Sequence, residues 1–196
     1  MKKMLWLSLF LLLGVQALPA DQETLENRVD EVFAPWDGTT SPGCALAVIR
    51  DGGIIYSRGY GMANLEHAIA ITPSTAFYAG SVSKQFVAAS IALLAEDGAI
   101  SLDDDIRKHV PEIPDYGKTI SIRHLVHHTS GLRDYLTLMS LAGRNFADSA
   151  SEEEVVALIA RQKELNFEPG AQYLYSNSGY FLLAQIVKSA SGKNVT

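Results

Sequence analysis

The sequence predicts a mixed α/β chain of the α+β kind, with one β-hairpin followed by a mostly helical region. Three observations lead there. The run Cys44-Ala45-Leu46-Ala47-Val48-Ile49 is apolar without alternation, which suits a strand covered on both faces. Asp51-Gly52-Gly53, residues that tolerate positive φ, separate it from a second strand pattern at Ile54-Ile55-Tyr56. Beyond residue 80, apolar residues fill segments of helix length that begin at capping residues and end at glycines.

The first twenty residues stand apart from the fold. Lys2 and Lys3 precede the apolar run Leu5 to Val15, the layout of a secretory signal and too short for a bilayer anchor. Val15 and Ala17, or Ala20, offer cleavage points. Residues 1–20 are therefore expected to be removed and 21–196 to form an exported domain, periplasmic or secreted, with no stable membrane insertion after cleavage. No cysteine stands directly after the run, so no lipid anchor is expected. Of 16 basic residues two lie in this segment, leaving 14 against 22 acidic ones, or about −8 formally. That balance offers no electrostatic footprint for nucleic acid. Cys44 is the single cysteine, which excludes an intramolecular disulfide and a cysteine metal cluster.

The elements follow in order. Leu25, Val29, Val32, Phe33 and Trp36 recur at helical spacing among charged residues, predicting an amphipathic helix that stops at Pro35. The hairpin spans 44–59. Val82 to Ala95 is apolar nearly all round and is expected in the interior, ended by Gly98. Ser121 opens a shorter helix through His124, Leu125 and Val126, closed by Gly131. Ser151 and Glu154 form a capping box ahead of Val155, Val156, Leu158 and Ile159. Glu168-Pro169-Gly170 makes a turn, and a last apolar helix runs over 178–190 to Gly192. There is no internal repeat. A lone hairpin is marginal in water, and nothing downstream in this sequence reads as a neighbour for strand 44–49.

Two motifs carry chemistry. Ser81 and Lys84 are three apart at a helix start, so they share one face. Lys84 is the only charged residue between Ser81 and Glu96. The positive end of the helix dipole and desolvation both disfavour a cation there, so this lysine is expected to be neutral part of the time and to take the serine proton. The same N-terminal amides, that of Ser81 included, suit an oxyanion. The second motif is Tyr175-Ser176-Asn177 ahead of the last helix. A tyrosine near a lysine in a dry cleft can serve as a base, and an asparagine can both donate to and accept from a substrate amide.

With Gly80-Ser81-Val82-Ser83-Lys84, Tyr175-Ser176-Asn177, the run Ile122-Arg123-His124-Leu125-Val126-His127-His128-Thr129-Ser130-Gly131-Leu132, and Glu168-Pro169-Gly170, the chain resembles the serine β-lactamase and penicillin-binding-protein (D-Ala-D-Ala peptidase) superfamily, on its class C side. The resemblance covers most of 22–196. It implies an antiparallel sheet flanked by helices plus a mostly helical region. It also implies an acyl-enzyme mechanism without cofactor, acting on a β-lactam, a D-Ala-D-Ala peptide or a small ester. Ser81 would attack a carbonyl, Lys84 and Tyr175 would handle its proton, and Asn177 would orient the substrate. The family's third box, Lys or His, then Thr or Ser, then Gly, has no match in a suitable place. Gly117-Lys118-Thr119-Ile120 lacks the final glycine and precedes the tyrosine box. The late strands have no counterpart either, so the domain at 21–196 is expected to be partial, truncated at its C-terminal side. The competing expectation is a non-catalytic remnant or binding module of the same fold.

Other chemistries fit less well. His124, His127 and His128 have helical spacing, but no glutamate stands as a zinc hydrolase needs and no third ligand is evident. No serine is framed as Gly-x-Ser-x-Gly. Asp103-Asp104-Asp105 lacks the spaced ligands of a calcium loop and reads as a solvated loop.

Overall fold

The computed structural model describes residues 20–145 and 148–195, the first five of them as backbone. The expected signal segment 1–20 lies, up to residue 19, outside the described residues. Among those described, no helix is long and apolar enough to cross a membrane. The chain divides after Tyr78 into two compact units.

The first unit holds α1 (Ala20–Phe33), a 3-10 turn at Ala34–Trp36, β1 (Cys44–Arg50), β2 (Gly53–Tyr60), β3 (Met62–Asn64) and β4 (Ile69–Ala70). β1 and β2 form the expected antiparallel hairpin, from Cys44 opposite Tyr60 to Arg50 opposite Gly53. Asp51 (φ 52°) and Gly52 (φ 76°) make the two-residue turn. Positive φ at both positions matches the twist of the strands. A bulge follows Val48. β3 and β4 pair in a second small sheet, which sequence reading missed because strands of three and two residues carry no periodic signal.

One face of the hairpin is held by α1. Asp30 accepts hydrogen bonds from the hydroxyls of Tyr56 (2.5 Å) and Tyr60 (2.7 Å) and pairs with Arg58 (2.5 Å). The Phe33 ring stacks on Tyr60 at 4.9 Å. The tyrosine hydroxyls, Tyr56 first, and then Arg58 hold the Asp30 carboxyl below its usual range despite some desolvation. Burial, followed by the bonds to Tyr56 and Asp30, pushes the Tyr60 phenol well up. β1 is apolar enough for cover on both faces, and among the described residues only one face has it, in keeping with the lack of a neighbouring strand read from the sequence. Cys44, Leu46 and Val48 are half-buried, whereas Ala45, Ala47 and Ile49 are exposed, because α1 lies against the Tyr56 and Tyr60 face alone.

The second unit holds a 3-10 turn at Gly80–Val82, α2 (Ser83–Glu96), a 3-10 turn at Ile106–Lys108, α3 (Ile122–Val126), α4 (Tyr135–Leu141), α5 (Glu152–Ala160) and α6 (Asn177–Ser191). α6 packs on α2 and α3. Val87 and Ile91 of α2, Ile122 and Leu125 of α3, Ile159 of α5, and Leu182, Leu183 and Ile186 of α6 build one core. α2 is not interior all round as its composition predicts. Val82, just ahead of it, and its Phe86 and Leu93 are 57%, 63% and 61% exposed, because α6 covers only the Val87–Ile91 side. The acidic run is no plain solvated loop. Asp103 pairs with Arg123, Asp104 with Lys108, and Asp105 caps the turn at Ile106.

Capping explains the helix starts. Ser151 and Glu154 exchange the predicted bonds at the start of α5, and Ser176 caps α6 by accepting from the Gly179 amide. α4, which sequence reading missed, starts on Asp134, whose carboxylate accepts from the Thr137 amide at 3.1 Å. α3 ends at Val126, short of the Gly131 boundary expected from the sequence. His128 turns into the left-handed region at φ 57° and Gly131 follows at φ 75°, so the segment after Val126 leaves the helix and folds back toward α6.

That segment holds the start of α6. The His128 carbonyl accepts from the Leu174 amide (2.9 Å) and its Nδ1 accepts from the Ser176 amide (3.1 Å). Tyr180 donates to the Val126 carbonyl at 3.1 Å. Burial first, then the Lys84 charge, lowers the His128 pKa from 6.5.

Two stability outcomes follow from this geometry. A Cβ at Gly131 would fall well inside contact distance of the Phe167 carbonyl oxygen in a left-handed conformation, so Gly131→Ala should destabilise by about 2 kcal/mol or more. Thermal melting checks it, and an unchanged midpoint would contradict the packing described. For His128 the folded pKa lies below the unfolded one, so in the window below pH 6.5 the unfolded chain binds the extra proton. The contribution of His128 is thus complete above pH 6.5 and is lost as pH falls toward and through the folded pKa. His128→Asn tolerates φ > 0 and keeps an acceptor, so it should flatten the decline in melting temperature between pH 7 and 5. An unchanged slope would refute the assignment.

Candidate active site

Ser81 occupies the middle of the 3-10 turn that leads into α2, and Lys84 lies in the first turn of α2. Ser83 braces the turn by donating to the Gly80 carbonyl at 2.8 Å. Lys84 is half-buried and Ser81 exposed. The Lys84 Nζ donates to Ser81 Oγ at 3.2 Å and to Asn177 Oδ1 at 3.0 Å. The Tyr175 hydroxyl donates to Ser81 Oγ at 2.7 Å. The two boxes, more than ninety residues apart in sequence, thus meet through the packing of α6 against α2. All four residues singled out from the sequence, Ser81, Lys84, Tyr175 and Asn177, converge on one point.

The electrostatics favour a mobile proton at Tyr175. Burial raises its pKa, but interactions with Lys84 and Ser81 outweigh that and bring it below the ordinary tyrosine value of 10.0. The Lys84 ammonium stands 5.0 Å from the centroid of the Tyr175 ring and 5.7 Å from that of Tyr180. An alcohol in contact with a phenol of raised acidity can surrender its proton to that phenol's oxygen once the phenol has ionised beside the ammonium. The site differs from the dry cleft that sequence reasoning expects, since Tyr175 is 42% exposed.

The supporting residues were largely invisible in the sequence. Asn177 opens α6, and both its backbone amide (2.5 Å) and its side-chain Nδ2 (2.9 Å) donate to Asp134 Oδ2. Ser178 accepts from the Tyr135 amide (2.8 Å) and donates to the Arg133 carbonyl (2.7 Å). The His128 ring lies against Tyr175 at 4.6 Å and Tyr180 at 4.9 Å. The local sign available for Asp134 was a cap pattern with Thr137. Nothing local ties it to Asn177. A cavity of about 430 Å³ opens beside the cluster, lined by Leu132, Asp134, Leu138, Leu174, Tyr175 and Asn177. The histidines have separate partners: His124 Nδ1 accepts from the Ser121 amide in the cap of α3, and His128 faces the tyrosines. Lys118, in the near-match to the third box, pairs with Glu168 at 3.1 Å.

A family profile described as beta-lactamase matches residues 27–196. A D-aminopeptidase of Gluconobacter oxydans (strain 621H) is 33% identical over 170 residues, covering 87% of this chain and 31% of that protein. Penicillin-binding protein 4* of Bacillus subtilis (strain 168) is 34% identical over 150 residues, covering 76% of this chain and 33% of its own length. The octameric penicillin-binding protein homologue from Pyrococcus abyssi superposes with a TM-score of 0.72 at 31% identity, over 89% of this chain and 40% of that one. The chain thus spans about a third of the length of these curated relatives. It belongs to the beta-lactamase family, within the superfamily of serine β-lactamases and penicillin-binding proteins.

Proposed function

We propose that this protein is a serine hydrolase that cleaves peptide or amide bonds through an acyl-enzyme. The observation that carries the reading is the placement of Ser81 Oγ between the Tyr175 hydroxyl and Lys84 Nζ. With the Tyr175 phenol ionised beside the Lys84 ammonium, Ser81 Oγ forms a bond to the substrate carbonyl carbon while its proton passes to the Tyr175 oxygen. The C–N bond then breaks, and the leaving nitrogen takes that proton. Water then gives a proton to the same oxygen and attacks the ester, and the bond to Ser81 Oγ breaks as that proton returns to the serine, releasing the acid. Asn177 orients the substrate amide, and the Ser81 amide is one donor to the oxyanion. No cofactor enters the scheme.

The D-aminopeptidase relative supports a small peptide or amide next to a D-residue as the substrate class. β-Lactams and small esters react by the same steps and serve as probes. The Lys2, Lys3 and Leu5–Val15 layout supports export, to the periplasm or beyond.

The test is covalent labelling by a fluorescent penicillin and turnover of D-alanyl anilides in the intact protein. Ser81→Ala should abolish labelling with the fold retained, and Tyr175→Phe and Lys84→Met should each slow turnover by roughly 100-fold or more. Labelling that persists in Ser81→Ala removes the nucleophile assignment. A folded parent that neither labels nor turns over favours the binding-module alternative.

A further inference from the structure

We propose that Asp134 is a positioning residue for this reaction, setting the orientation of the Asn177 side-chain amide and through it the aim of Lys84 at Ser81. The inference rests on the function proposed above. The oxygen and nitrogen of an asparagine amide are nearly alike in shape, so its partners decide which way it faces. Lys84 can only donate, and Asn177 Oδ1 accepts from it at 3.0 Å. Asp134, ionised, can only accept, and its Oδ2 takes Asn177 Nδ2 at 2.9 Å together with the Asn177 backbone amide. The two neighbours select the same orientation from opposite sides. The acceptor so presented occupies one of the three Lys84 protons while another points at Ser81 Oγ. Asp134 is itself immobilised, since its other oxygen caps α4 at the Thr137 amide.

The cap supplies a clean separation of roles. In Asp134→Asn the new side chain would still cap α4, because asparagine and aspartate are equivalent caps, but it would turn an NH₂ group toward the two donors of Asn177. Asp134→Asn in the intact protein should therefore stay folded, melting modestly below the parent for the lost bond to the Asn177 backbone amide, and acylate on the order of 10 to 100 times more slowly, with KM little changed. Asp134→Ser, a cap too short to reach Asn177, should behave alike and stands in if the first variant folds poorly. In an Asn177→Ala background Asp134→Asn should cost nothing further, because the group it acts through is gone. The side-chain amide resonances of Asn177 should also shift in Asp134→Asn. Acylation at the parental rate in both variants, or an equal loss in the Asn177→Ala background, overturns the inference while leaving the proposed function standing. A parent that does not acylate overturns the function, and this inference with it.

Discussion

The first turn of α6 and the segment from His128 to Tyr135 are tied together by a run of hydrogen bonds, and the candidate site exists only where they meet. Asn177 bonds to Asp134, Ser176 to His128, and Ser178 to both Arg133 and Tyr135. Three of these bonds occupy backbone amides at the starts of α4 and α6 that a helix end would otherwise leave without a partner. Because Asn177 and Tyr175 flank the cap residue Ser176, the satisfaction of a helix terminus also decides where two site residues point. The same segment reaches this position only because His128 and Gly131 adopt positive φ. Left-handed backbone at two residues, the capping of one helix and the aim of Tyr175 are therefore one structural problem with one solution.

What sequence could supply was whatever is encoded locally. The hairpin was legible from Asp51-Gly52 between apolar runs, α5 from the Ser151–Glu154 box, and α6 from its unbroken apolar stripe. The four residues at the site were legible as two motifs, but their meeting was not, since it depends on α6 packing against α2. Asp134 shows the limit plainly: its cap of α4 is a local pattern, whereas its bonds to Asn177 cross 43 residues and leave no periodic trace. α4 itself and the paired strands β3 and β4 were missed because a seven-residue helix and strands of three and two residues are too short for periodicity to register.

Apolarity proved a weaker guide than pattern. β1 and α2 both read as elements enclosed on every side, and each has one face against a described partner and another face exposed. Composition states how much apolar surface an element carries, and only its neighbours state how much is removed from water. On α2 the division has a consequence for the chemistry, since Ser81 lies just ahead of an element whose Val87 and Ile91 are held by the core while its Phe86 and Leu93 are not. The position of Ser81 is set by one helix face and by the Gly80–Ser83 turn.

Exposure also shapes the electrostatics. Desolvation alone would raise the Tyr175 pKa, so its net downward direction comes from Lys84 and Ser81 acting against burial. Those interactions are weakest while water still reaches the cluster, because a high local dielectric and mobile ions screen the Lys84 charge. A substrate lying over Ser81 and into the cavity beside Tyr175 would expel part of that water. The Lys84 charge would then act on Tyr175 through a medium of lower dielectric, while desolvation would oppose it more strongly. Lys84 stands 5.0 Å from the Tyr175 ring centroid and is held by Asn177, so the acidity of the phenol is tied to the geometry of the amide that aims the lysine.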